Sequence, residues 1–420
     1  MRTVGIIVEY NPFHNGHAYH IQKSLQLTGA EAVVAVMSGH FLQRGEPALM
    51  NKWARAETAL RGGCDLVIEL PLAYSIQAAD WFAYGAVSLL EATGVVDSLC
   101  FGSESGDIAP LQRLARALQR EPDAFKSMLD EALAAGAAYP AAYSAAAARY
   151  MLEAEGDSEA AAFPLAQPNN TLGLHYLLAL ERLGSAIEPC TIRREQAGYH
   201  DRAVPDGSGI ASATAIRRLL LETGSMDGLR RFVPDSTERI LAAECAAGRA
   251  PRSWDDYFAP LLHAIVTGTP RSLGAHHEWN EGLEHRLLAK LPHLKELRFE
   301  TLLESLKTKR YTRTKLQRAL LSLLLGLHKE DLTPQLLRGG VEYIRVLGFT
   351  GRGRRLLAAM RSKARLPIVM SAARAAADYH FLELDTRATA VYASAYPDAG
   401  PQDLLRDYYE RPVIVDSPQR

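Results

Sequence analysis

Five short apolar runs, each set off from the next by helical periodicity, constrain this chain more than any other feature. They are "TVGIIVE" from Thr3, "AEAVVAVMSG" from Ala30, "DLVIELP" from Asp65, "VDSLCFGSE" from Val96 and "IEPCTIRR" from Ile187. Runs that stay apolar without alternating suit strands covered on both faces, and strand–helix alternation predicts an open, doubly wound parallel α/β sheet. The helices between them carry their own stop signals: "NGHAYHIQKSLQLTG" ends at Gly29, "NKWARAETALRGG" at Gly62 and Gly63, "QAADWFAYGAVSLLEATG" at Gly94. "NNTLGLHYLLALERLG" reads as another helix, and "ASATAIRRLLLETG" as one whose start carries Ser and Thr caps.

A chain of 420 residues exceeds one typical domain. Residues 1–224 form the expected α/β domain, interrupted at about residues 108–155 by an alanine-rich helical insertion. Residues 225–420 read as mainly helical, ending in a mixed segment with "VEYIRVLGF" and "LPIVMSA". The formal net charge of -1 hides local patches and does not exclude a polyanionic partner. Cys64, Cys100, Cys190 and Cys245 stand far apart without CxxC spacing, as reduced thiols rather than a disulfide framework or zinc site. No signal peptide is evident, and "LLSLLLGL" from Leu320 is too short to cross a membrane, so a cytoplasmic protein is expected.

In an open parallel sheet, ligands bind beyond the carboxyl ends of the strands. The first run ends at Glu9, which places "VEYNPFHNGHAYH" on that rim. The helix behind it starts near Asn15 and Gly16, where unpaired N–H groups are expected to favour an anion. His14 and His17 flank Gly16 as donors to phosphate oxygens, so the loop suits a polyphosphate.

"FHNGH" resembles the HxGH signature of the HIGH superfamily of nucleotidylyl transferases, and "IASATAIRR" resembles that superfamily's second signature, with Ser212, Thr214 and Arg217 at the matching positions. The resemblance implies a Rossmann-like HIGH-type sheet and attack on the α-phosphate of ATP. More narrowly, "GIIVEYNPFHNGHAYH", "AVMSGHFLQRGEPAL", "DLVIELP", "SLCFGSE", "QPNNTLG", "YHD" and "YIRVLGF" resemble the bacterial tRNA(Met) cytidine acetate ligases over most of the chain. "QPNN" departs from the RPNN expected there, losing a charge but keeping both amides. By this resemblance the ATP site takes Ile7, Val8, Glu9, Tyr10, Asn11, Pro12, Phe13, His14, Asn15, Gly16, His17, Ala18, Tyr19 and His20. Gly102, Asn169 or Asn170, and Arg194 complete it, with Arg193 an alternative to Arg194 because neighbours on a strand face opposite ways. ATP is the implied co-substrate, Mg2+ is expected with it, and acetate and elongator tRNA(Met) are the implied partners.

The segment "MSGHFLQRGEPALMNKWAR" follows the second strand onto the same rim and reads as a substrate loop. Arg44 and Lys52 are its candidates to hold acetate or pyrophosphate, and Gln43 its candidate to face cytosine. The run "KTKRYTRTKLQR" brings Lys307, Lys309, Arg310, Arg313, Lys315 and Arg318 together with no intervening acid, and Tyr311 as a stacking surface. "GRGRR" adds Arg352, Arg354 and Arg355 as a second cluster for the tRNA backbone. His277, Glu281 and His285 share a helical face in "HHEWNEGLEH" but lack HExxH spacing, so no metal site is expected. The reading is an ATP-dependent ligase that makes acetyl-adenylate and acetylates N4 of a wobble cytidine. Its rivals are a nucleotidylyltransferase acting on a phosphorylated small molecule and a tRNA-binding protein with a regulatory ATP site.

Overall fold

The computed structural model describes residues 1–194, 209 and 211–416. The five apolar runs form β1 (Thr3–Val8), β2 (Ala32–Ser38), β3 (Leu66–Leu70), β4 (Ser98–Ser103) and β5 (Glu188–Arg193). They pair in parallel in the order β5-β4-β1-β2-β3, with Val4 beside Val33 and Cys100 beside Cys190. Every residue of β2 is buried, which explains a run with no polar alternation. Val33, Ala35 and Met37 meet Ile21 of α1 (Asn15–Thr28) and Leu60 of α2 (Lys52–Arg61) on one face. Val34 and Val36 join the core under the helices Ala79–Thr93 and Pro168–Leu183 on the other.

The alanine-rich stretch forms the helices Ala109–Leu118, Asp123–Ala134 and Tyr139–Glu153. They pack through Leu111, Leu114, Phe125 and Tyr143 onto the core beside Leu174. Beyond residue 211, the helix Ala213–Thr223 is capped by the Ser212 hydroxyl, which accepts from the N–H of Ala215 at 3.1 Å.

The chain beyond residue 225 also contributes to the sheet. β6 (Ile344–Thr350) lies antiparallel beside β3, and β7 (Ile368–Val369) and β8 (Val413–Val415) pair parallel to β6. One apolar cluster runs from Val36 in β2 to Leu320 and Tyr392. Strand order and core therefore cross the expected boundary at residue 225, because local pattern identifies a strand such as "YIRVLGF" but not the neighbour it pairs with. β6 ends at Thr350, whose N–H donates to the Asp65 carbonyl at 2.9 Å, and the helix Gly351–Lys363 starts there. A Cβ on Gly353 would lie 1.9 Å from the Asp65 oxygen, so only glycine lets that helix seat against the amino end of β3.

Candidate active site

The turn between β1 and α1 is built around two imidazoles. His14 is the helix N-cap: its Nδ1 accepts from the N–H of Gly16 at 3.1 Å, and Nδ1 of His17 accepts from the N–H of His14 at 3.3 Å. The rings stack with centroids 3.7 Å apart, and Tyr10 meets the edge of His17 at 4.8 Å. Tyr10 takes a φ of 48°, a strained left-handed turn held by burial of its ring against Phe13. Gly62, at the end of α2, makes room for Phe13, since a Cβ there would approach the ring to 2.2 Å.

The N–H groups of α1 are not the open anion cradle expected. Asn15 N–H donates to the Phe232 carbonyl at 2.9 Å, Gly16 N–H to His14, and those of His17 and Ala18 to the His14 carbonyl at 2.8 and 3.2 Å. Asn15 also spends its side-chain amide, on the carbonyls of Gly209 and Arg231 at 2.8 and 3.0 Å. His20 turns inward to Cys100. What the turn offers outward is imidazole. Burial, then the charges of Arg194 and Arg217, push His14 down to about 3; burial, then His14 and Arg194, hold His17 well below the usual range. Both rings are therefore neutral at neutral pH. With Nδ1 accepting, each carries its proton on Nε2, as a donor.

That arrangement has a thermodynamic signature. Unfolded histidine titrates near 6.5, whereas folded His14, His17 and His40 resist protonation because they are buried. Below the unfolded pKa the unfolded chain binds more protons, so each such histidine makes stability fall with pH by up to about 1.4 kcal/mol per unit. Glu69 and Asp385, whose carboxyls burial raises, act in the opposite sense. The contrast with His14→Asn isolates the imidazole: its urea midpoint is expected to fall less than the wild type's between about pH 7 and 5. Parallel midpoints would mean that His14 titrates normally.

On the β4–β5 side, the paired alternatives have different surroundings. A Cβ on Gly102 would meet Arg194 Cγ at 3.3 Å, so Arg194 lies over the bare backbone of Gly102. Arg193 packs instead against Gly106. Asn170 is fully enclosed: its Oδ1 accepts from Glu104 and Ser105 N–H at 3.0 and 3.2 Å, and its Nδ2 donates to Pro164 and Gln167. Of the two, half-buried Asn169 is the one whose amide oxygen has no hydrogen-bond partner among the described residues. Glu104, unremarked as a site residue in the sequence, holds this corner: its carboxylate accepts from Asn169 and Asn170 N–H at 3.1 and 2.8 Å. Its only sequence signal is an acid after a strand, because the helix it caps begins 64 residues later at Pro168. The second signature closes over the turn: Arg217 donates Nη1 to the Asn11 carbonyl at 2.9 Å and lies 3.4 Å from Glu46 and 3.5 Å from Thr214.

The loop from Gly39 to Pro47 is fastened rather than solvated. Arg55, fully buried on α2, donates to the carbonyls of Glu9, Ser38, Gly39 and Met50 and so ties the ends of β1 and β2 to it. Trp254 donates to the Gly45 carbonyl at 3.0 Å. Arg44 is half-buried, within electrostatic reach of Glu9. Gln43 spends its side-chain N–H on the Gln77 carbonyl at 3.0 Å. Lys52 corrects the expectation outright: it is wholly buried, its ammonium held between Glu69 at 2.8 Å and Asp407 at 2.9 Å, and it cannot hold acetate or pyrophosphate.

The basic run is partnered within the fold. The fold supplies the acids its own segment lacks: Glu304 to Lys307 at 3.4 Å, Glu281 to Arg310 at 3.7 Å and Lys315 at 3.3 Å, Glu300 to Arg313 at 2.6 Å, and Glu278 to Arg318 at 2.9 Å. Lys309 alone of the six has no acidic partner among the described residues. Tyr311 is buried and donates to the Glu281 carbonyl at 2.6 Å, so it offers no stacking face. The run still borders the rim, since Gln317 reaches Glu46 at 3.3 Å. Arg352, Arg354 and Arg355 do not: Arg352 donates to the carbonyl of Glu31, before β2, which puts the cluster at the amino-end edge, roughly 20 Å of strand from the rim. His277 turns to Gln77 at 3.3 Å, and Glu281 precedes the helix Leu283–Lys290, so the supposed helical face with His285 does not form. His200 and Asp201 of "YHD" lie outside the described residues.

The sequence pattern of the family described as HIGH Nucleotidyl Transferase matches residues 1–407. The chain is 40% identical over 419 residues to the tRNA(Met) cytidine acetate ligase of Halalkalibacterium halodurans, covering 99% of this chain and 98% of that one. It is 38% identical over 422 residues to the protein of the same name from Bacillus subtilis, covering 100% and 99%. Among solved structures, Thermotoga maritima TmcAL in its apo form superposes with a TM-score of 0.91 at 36% identity, covering 99% of this chain and 100% of that one. The same protein bound with alpha-thio ATP gives 0.89, with the same identity and coverage.

Proposed function

We propose that this chain, which belongs to the HIGH Nucleotidyl Transferase family, is an ATP-dependent ligase that acetylates cytidine in tRNA(Met). The observation that carries the reading is the fixed pair of Nε2–H donors on His14 and His17, set in the positive field of Arg194 and Arg217. A carboxylate oxygen of acetate attacks the α-phosphorus, the bond to the β-phosphate oxygen breaks, and acetyl-adenylate and pyrophosphate result. Charge grows on the equatorial and leaving oxygens as this happens. Neutral imidazole donors already in place stabilise it without reorganisation. Gly102 and Arg194 receive the nucleoside, Asn169 its polar edge, and the turn from Asn11 to His20 the triphosphate.

Among the described residues no three His, Cys, Asp or Glu side chains converge as a metal cage. Magnesium would accompany the nucleotide, held by its phosphates, and would neutralise part of their charge. No helix among the described residues is long and apolar enough to cross a membrane, in keeping with work on tRNA in the cytoplasm.

Two measurements test the reading. The protein should exchange labelled pyrophosphate into ATP only when acetate is present. With elongator tRNA(Met) it should then yield N4-acetylcytidine at the wobble position without acetyl-coenzyme A. AMP joined to a small metabolite instead would favour a nucleotidylyltransferase.

For the tRNA, the surface beside the rim is the Lys307–Arg318 segment, with Lys309 and exposed Arg310 its available charges. The double variant Lys309→Glu, Arg310→Glu should weaken tRNA binding and lower the slope of log K against log salt by about one per lost phosphate contact. Pyrophosphate exchange should persist, since neither residue touches the turn. An unchanged salt slope would move the tRNA surface elsewhere.

A further inference from the structure

We propose that Glu9 is the group that receives the cytidine amine: its carboxylate accepts a hydrogen bond from N4 and takes the N4 proton as the acetyl group transfers. The inference rests on the ligase reading and adds a residue to its second step.

Four carboxylates stand at the carboxyl ends of the first four strands, and the fold has used three of them. Both oxygens of Glu69 bind Lys52, at 2.8 and 2.9 Å. Those of Glu104 hold Asn169 and Asn170. Glu46 faces Gln317 and Arg217, at 3.3 and 3.4 Å. Glu9 differs. Its Oε1 accepts from the N–H of Gln43 at 2.8 Å, which aims the carboxylate, while Oε2 has no hydrogen-bond partner among the described residues. The residue is half-buried, so the open oxygen is within reach of a ligand.

Its direction matters as much as its freedom. The nucleotide side of the rim is formed by Gly102 and Arg194 beyond β4 and β5. Glu9 sits at the end of β1 and turns the other way, toward the loop after β2. On this reading an acetyl group on the α-phosphate at His14 and His17 lies between those two sides, and the base enters from the Glu9 side. A carboxylate accepting from N4 is the usual side-chain match to cytosine. It also serves the chemistry. The N4 lone pair is delocalised into the ring, so attack on the acetyl carbon needs a base as the N–C bond forms. The acyl C–O bond to phosphate breaks, AMP leaves with that electron pair, and the second N4 proton goes to Oε2. Burial raises the Glu9 carboxyl and makes it a stronger base than an exposed one, while Arg44 and Arg55 oppose that shift and Glu46 adds to it.

The test is Glu9→Gln, which keeps an oxygen for the Gln43 N–H but removes the base. Single-turnover transfer from preformed acetyl-adenylate to tRNA should fall by about 10²–10⁴, the range for a positioned general base. Acetate-dependent pyrophosphate exchange should fall by less than about tenfold, a loss of ground-state shape rather than of a donor. The wild-type transfer rate should decline as pH drops through the Glu9 pKa, and this limb should vanish in Glu9→Gln and return in Glu9→Asp. Equal losses in both steps, or intact transfer, would overturn the assignment alone. A wild-type protein that makes no acetyl-adenylate would overturn the ligase reading and this assignment with it.

Discussion

His17→Ala is expected to slow acetyl-adenylate formation by about 10²–10³, the loss typical of one preorganised donor to a developing oxyanion. His14→Ala should slow it similarly and also destabilise the fold, because that imidazole caps α1 and removal of a cap costs about 0.5–2 kcal/mol. The two roles separate in His14→Asn. Asparagine accepts from the same helix N–H groups but cannot present the Nε2 donor, so the rate should fall while the denaturant midpoint holds. The measurement is acetate-dependent pyrophosphate exchange beside a urea titration of each variant. Near-normal exchange in His17→Ala would remove that ring from the chemistry.

The largest stability effect should come from the other end of the chain. Asp407 accepts from Lys52 at 2.9 Å, from Arg345 at 3.2 Å and from the Thr389 hydroxyl, all buried. Burial favours the neutral acid, yet Lys52 and Arg345 outweigh it and hold the carboxyl below its usual range. Asp407→Ala leaves Arg345 without its carboxylate and Lys52 with Glu69 alone in a dry interior, and breaking a buried pair this way costs about 3–5 kcal/mol. Asp407→Asn, which keeps an acceptor, should cost less. By linkage, a depressed carboxylate contributes stability that is complete above its unfolded pKa and is lost as pH falls through the folded one. The wild-type advantage over Asp407→Ala should therefore shrink in acid. An equal gap at neutral and acid pH would show that the carboxylate charge is not what Lys52 and Arg345 require.

The parts of this molecule legible beforehand are those whose signal is local. β2 declares itself because both its faces are covered, and Ser212 because a cap is read from the residues beside it. The order of the two signatures, one at each end of the sheet domain, pointed to the rim where Arg217 meets Asn11. What misled was charge without context. Lys52 looks like a rim ligand until Glu69 and Asp407, 17 and 355 residues away, enclose it. The bases from Lys307 to Arg318 look bare because their acids come from Glu278, Glu281, Glu300 and Glu304, outside the run. Arg55 gave no signal at all, since its partners are backbone carbonyls at strand ends.

The antiparallel seat of β6 beside β3 sets a clock on biosynthesis. A ribosome completes β3 at Leu70 but does not finish β6 at Thr350 until 280 residues later, roughly 14–56 s at about 5–20 residues per second. Through that interval the β3 edge of the emerging sheet stays open, and open strand flanks recruit other strands. Lys52 and Glu69 are present, but Arg345 and Asp407 are not yet made. A chain cut short before β6 therefore keeps that flank of β3 open and leaves Lys52 and Glu69 without the Arg345 and Asp407 that enclose them.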